Sequence, residues 1–203
     1  MEGRHSGYDD FTTVPVAVYF CPARRGPEPG QVALFSPAEG GCINDTLAGT
    51  VGDYAASVGN SGWDGYIPAG YADFWNPEMF PAANGAFQAN VGVRFSEITD
   101  GLSTTILVGD KHVPPESLRR APYDCSIYDG HNLTCHSRYA GEGFPLAGSG
   151  YPGVDLTFGS RHPNTVQFVF ADGTVRPIAV SIDPHVLGLL AQRNDNQVVP
   201  DFE

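Results

Sequence analysis

Apolar positions along this chain come in short runs broken every few residues by Gly or Pro, and only a few of those runs keep a clean period. The clearest covers residues 166–180. The run VQFVF, a break Ala-Asp-Gly-Thr and the run VRPIAV predict two strands joined as a hairpin, with Asp172-Gly173 as a two-residue type I′ loop. With that loop, Val166, Phe168 and Phe170 share one face with Val175, Pro177 and Ala179, while Gln167, Val169, Arg176 and Ile178 share the other. Residues 93–108 read as a second hairpin, with Val93, Phe95 and Ile98 before Asp100-Gly101 and Thr105 to Val108 after it. Residues 14–20 (VPVAVYF) are predicted as a strand, Pro15 placing it at an edge or a strand start. Helical spacing returns at residues 181–193, where Asp183 is the N-cap, Pro184 takes the first helical position, and Val186, Leu187, Leu190 and Ala191 form one stripe.

Between these elements the period is lost. Residues 23–52 read as a connecting loop, and residues 114–153 as a second one. Residues 53–90 read as a long ordered loop dense in aromatic side chains, among them Trp63, Tyr66, Tyr71 and Trp75. These elements predict one α+β domain over residues 1–203, with flexible ends at 1–13 and 200–203. Its mostly antiparallel sheet is built from hairpins, long disulfide-pinned loops join the strands, and a short helix closes the C-terminal end.

Charge narrows the set of partners. Against 11 Lys and Arg stand 23 Asp and Glu, a net charge of −12, and such a field repels phosphate backbones and anionic lipid headgroups. Nucleic acid is therefore not an expected partner. No apolar run approaches the roughly 20 residues of a membrane span, so membrane contact by this segment is not expected either.

The cysteines Cys21, Cys42, Cys125 and Cys135 lack the paired spacing of a zinc site and read as disulfides, which implies an oxidising compartment. Of the three pairings, Cys21 with Cys42 and Cys125 with Cys135 is preferred, because each closes a short loop.

Read together, His162, nine residues, then Asp172-Gly173 in SRHPNTVQFVFADGTVR resemble the H-x9-DG motif of a prepilin-type family abundant in planctomycetes. The segment FSEITDGLSTTILVGDK is similar to that family's second signature, and YFCPARRGP and SIDPHVLGLLAQRNDNQVV fit its flanks. The resemblance implies a globular head related to type IV pilins and type II secretion pseudopilins, held outside the cytoplasmic membrane by an N-terminal prepilin helix. Residues 1–10 are polar and show no such helix. The export signal is expected to have been removed or to lie upstream, and assembly by the missing helix is not expected of this segment alone.

Chemistry is weighed against that implication. His162 and Asp172 stand at opposite ends of a predicted strand, roughly 25–30 Å apart if extended, so they read as structural motif residues together with Gly173, Asp100 and Gly101. Gly148-Ser149-Gly150 is not a nucleophile elbow, and no nucleotide-binding fingerprint is present. His131, His136, Asp124 and Asp129 are too loosely spaced to define a metal site. No catalytic residue, metal ligand or cofactor is expected, calcium alone being left open by the acidic surface.

The expected function is a non-catalytic extracytoplasmic structural or adaptor protein, with other pilin-like subunits or secretion machinery as partners. The alternative is a secreted polysaccharide- or solute-binding module using Trp63, Tyr66, Tyr71 and Trp75, since aromatic faces suit sugar rings.

Overall fold

The computed structural model describes residues 12–28, 32–33, 49–62, 82–88, 91–120, 123–129, 133–153 and 156–202. Its strands are β1 (Val32–Ala33), β2 (Gly49–Thr50), β3 (Tyr54–Ser57), β4 (Ile106–Asp110), β5 (Ser137–Arg138), β6 (Thr165–Phe170) and β7 (Val175–Ala179). Its helices are α1 (Leu133–His136) and α2 (Pro184–Ala191). β1 and β2 form a small antiparallel ribbon, and the other five strands form one sheet in the order β5-β3-β4-β6-β7. Within that sheet only the β3–β5 pair is parallel. The fold is thus α+β with a mostly antiparallel sheet, as the periodicity predicts.

The hairpin of β6 and β7 forms where its sequence places it, but its loop differs from the expected one. The Gly173 N–H and the Thr174 carbonyl close the turn on Phe170, and Gly173 alone in the loop has positive φ, at 84°. The connection is a type I turn followed by a glycine bulge, a three-residue loop and not a type I′ pair. One added residue reverses the facing of β7. Phe168 pairs with Arg176 and Val166 with Ile178, so Ile178 is buried at 1% exposure while Val175 stays 63% exposed. The expected facing of Val175, Pro177 and Ala179 toward the core is corrected accordingly. Pro177 is accommodated because β7 is the sheet's edge strand.

Three other expected elements are also corrected. Residues 17–19 form a single 3-10 turn, with Val18 and Tyr19 exposed, and not a strand. Asp100-Gly101 is not a hairpin tip: short 3-10 turns at Phe95–Glu97 and Leu102–Thr104 flank it, and only Ile106–Asp110 is extended. Its polar groups bond locally, the Thr104 hydroxyl donating to the Asp100 carbonyl at 2.7 Å and that of Thr105 to the Gly101 carbonyl at 3.0 Å. Tyr54–Ser57, assigned to a loop by its poor periodicity, is a central strand between β5 and β4.

The core lies between one sheet face and α2. Phe158 and Phe168 meet edge to face at 5.1 Å, and Leu187, Leu190 and Ala191 of α2 close over Val166, Phe170 and Ile178. As expected, Asp183 caps α2, its carboxylate accepting the His185 N–H at 2.8 Å. Phe202 stacks on Phe170 at 6.1 Å and so ties the C-terminal segment to this core.

One irregularity decides what the other face carries. The β4–β6 register shifts between Ile106 and Val108, leaving Leu107 as an extra residue in β4. Past that bulge Gly109 faces the core beneath Phe168 and Phe158, and Asp110 therefore points to the reverse face.

Candidate functional site

Buried charges gather where β3 begins and β4 ends. The turn after Cys21 is closed by the N–H groups of Arg24 and Arg25 donating to the Cys21 carbonyl, which sends both guanidinium groups inward. Asp53, fully buried just before β3, gathers them: its carboxylate accepts from Cys21 N at 3.0 Å, Arg24 at 3.0 Å and Arg25 at 2.6 Å. Arg24 also donates to the carbonyls of Lys111 and Gly159.

Arg25 reaches further, to Asp124, with two hydrogen bonds of 2.6 and 2.7 Å. Burial disfavours the charge on both partners, but hydrogen bonding and mutual attraction outweigh it. The Arg25 pKa rises and the Asp124 pKa falls below the usual carboxylate range. Lys111 lies 3.7 Å from the same carboxylate, yet its complete burial dominates and lowers its pKa to about 7. Arg138, also fully buried, donates to the carbonyls of Ser137, His112 and Tyr123.

Beside this lock stand three side chains of different chemistry. Cys21, Asp110 and His162 place a sulfur, a carboxylate oxygen and a ring nitrogen all within 4.8 Å of one another. The Cys21 sulfur is 3.4 Å from His162 Nε2. One Asp110 oxygen accepts the Gln167 N–H at 3.0 Å, while the other is buried without an N–H or O–H donor, the Cys21 thiol alone lying beside it. Burial first, then the Asp110 charge, pushes the Cys21 thiol pKa up, and burial likewise raises that of Asp110. A thiol held protonated in this way is a poor nucleophile.

The residues singled out in the sequence fall into separate places. Cys125 and Cys135 are joined by a disulfide next to Asp124. Cys21 is a free, buried thiol; Cys42, its expected partner, lies outside the described residues. Trp63, Tyr66, Tyr71 and Trp75 also lie outside them. His162 precedes β6 and Asp172 follows it, so the two motif residues sit at opposite ends of one strand.

Asp172 is exposed and accepts from the Thr174 N–H and hydroxyl at 2.9 and 2.7 Å, bonds that lower its pKa. Asp100 uses its carboxylate to hold the C-terminal segment, accepting Asp195 N at 2.6 Å and Asn196 N at 2.8 Å. Asp53, Asp110, Asp124 and Lys111 were not legible as a group. Their one sequence signal is charge at the end of an apolar run, as in ILVGDK.

The mixed sheet, the α2 cover and the buried lock define an α+β domain with a cluster of buried charges at one end of its sheet. A family model described as a protein of unknown function (DUF1559) matches residues 1–185; the chain belongs to that family. No curated protein and no solved structure matches it. Among the described residues, no helix is long and apolar enough to cross a membrane.

Proposed function

We propose that the chain is a non-catalytic, extracytoplasmic structural or adaptor domain of the pilin and pseudopilin kind, displayed by a type II secretion or type IV pilus-like system. The observation that carries this reading is how the two Asp-Gly signatures spend their carboxylates. Asp172 bonds the Thr174 N–H across its own turn, and Asp100 latches the N–H groups of Asp195 and Asn196. Both are acceptors for backbone donors, the use expected of residues that hold a shape. The Cys125–Cys135 disulfide supports an oxidising compartment, and the raised pKa of the buried Cys21 thiol weighs against nucleophilic catalysis. The partners are other pilin-like subunits or the secretion machinery.

The test is expression of the full gene product with its own assembly system. Cleavage by the prepilin peptidase and recovery of this domain in sheared surface fibres or with assembly components is the expected result. A freely secreted monomer that never meets those components would overturn it, and a glycan-array binder lost on Trp63→Ala would put solute binding in its place.

A further inference from the structure

Three segments far apart in sequence each deliver one metal-ligating side chain to the same spot. Cys21 comes from the CPARRGP turn, Asp110 from the end of β4 beyond its bulge, and His162 from the loop entering β6. Their ligand atoms lie within 4.8 Å of one another. With Zn–S near 2.3 Å and Zn–N near 2.0 Å, a tetrahedral zinc ion sets its sulfur and nitrogen ligands about 3.5 Å apart. The Cys21 sulfur and His162 Nε2 are 3.4 Å apart.

We propose that Cys21, Asp110 and His162 form a binding site for one divalent transition-metal ion of the zinc class. An independent observation points the same way. Asp110 is 1% exposed, yet one of its carboxylate oxygens has no N–H or O–H donor, with the Cys21 thiol alone beside it. A thiol is a weak donor and leaves a buried carboxylate oxygen poorly satisfied, whereas a cation held by the neighbouring sulfur and nitrogen would satisfy it.

The segments that carry the ligands are fixed. Asp53 accepts the Cys21 backbone N–H, the Ser160 hydroxyl accepts the His162 backbone N–H at 2.8 Å, and Gln167 N bonds the second Asp110 oxygen. The last of these is the kind of outer contact that orients a ligating carboxylate. The donor set selects the ion: one sulfur, one nitrogen and one carboxylate suit zinc or cobalt, whereas calcium and magnesium take oxygen ligands. Three protein ligands leave a fourth position, and the half-buried His162 marks the side from which solvent or an exogenous ligand reaches it.

Titration of the chelator-treated, disulfide-intact chain with Co2+ and then Zn2+ tests this. One ion per chain, a sulfur-to-cobalt charge-transfer absorption displaced by zinc, and a rise in melting temperature are expected. Cys21→Ser should abolish the charge-transfer band. His162→Gln, at a half-exposed position, should leave the metal-free fold intact by circular dichroism and weaken binding by at least about tenfold. The site is refuted if the folded chain gives no such band at stoichiometric cobalt, or if the band survives in Cys21→Ser. Mass spectrometry of exported protein with Cys21 bridged to Cys42 would refute it equally.

Discussion

Arg25 holds Asp124 through two hydrogen bonds of 2.6 and 2.7 Å, and the two side chains are only 7% and 0% exposed. A second carboxylate, Asp53, shares the same guanidinium at 2.6 Å. Removing one member of such a lock leaves a buried charge with too little compensation, which costs about 3–5 kcal/mol. Asp53→Ala, which takes from Arg24 its carboxylate partner and from Arg25 one of two, is expected to destabilise by that amount in urea denaturation. A loss below about 1 kcal/mol would mean that water reaches the lock.

The same pair fixes the acid limb of the stability curve. The Asp124 pKa is lower in the folded chain than in the unfolded one because Arg25 and Lys111 outweigh its burial. Its contribution is therefore complete above the ordinary carboxylate pKa of about 4 and is lost as pH falls through the folded value. Melting temperature should drop on acidification below about pH 4, and Asp124→Asn should be less stable at neutral pH with a flatter drop. An equally steep drop in Asp124→Asn would assign the acid sensitivity to another carboxylate.

Reduction should act locally. Cys125–Cys135 closes a loop with a sequence separation of 10, beside Asp124 and around α1. Restricting a loop of that size is worth roughly 2–4 kcal/mol. A reductant, or the Cys125→Ser, Cys135→Ser double variant, should lower the melting temperature without loss of β-sheet circular dichroism.

What the sequence showed, and what it hid, follows from the range of the forces involved. The β6–β7 hairpin and α2 were legible because their signals are local: alternation, an Asp-Gly break, an Asp-Pro cap. Tyr54–Ser57 was not, because its burial alternates over the small residues Ala55, Ala56 and Ser57, which carry no apolar-polar contrast, and its neighbours β5 and β4 lie more than 45 residues away in sequence. The Cys21–His162 contact spans 141 residues, and no periodicity reports on such a distance. Both residues were noted, each for a different reason, and Asp110 joins them only because of the bulge at Leu107, which leaves no mark in composition.

That bulge also makes Gly109 intolerant of substitution. A Cβ there would stand 2.4 Å from Phe168 Cδ1 and 2.9 Å from Phe158 Cδ1, inside the edge-to-face ring pair. Gly109→Ala must push the two rings apart and should cost about 1–3 kcal/mol. Gly143→Ala, whose Cβ would meet nothing within 4 Å, is the control and should be close to neutral.

The register of β7 rests on Gly173. It takes φ of 84° and adds the residue that turns Ile178 inward and sets the Arg176 guanidinium 3.6 Å over the Phe170 ring. Space is not the constraint, since a Cβ at Gly173 would meet nothing within 4 Å; the left-handed backbone is. Gly173→Asn should therefore be mild, because Asn enters that region readily, whereas Gly173→Val should cost about 1–2 kcal/mol. Asp172→Asn should be mild too, its side-chain oxygen still accepting the Thr174 N–H. Asp172→Gly separates the observed turn from a type I′ loop. A type I′ loop needs positive φ at Asp172 as well and would gain from glycine there, whereas the type I turn with a glycine bulge would only lose the Thr174 bonds and gain unfolded-state entropy. Stabilisation by Asp172→Gly in thermal unfolding would overturn the three-residue loop, and with it the inward facing of Arg176 and Ile178.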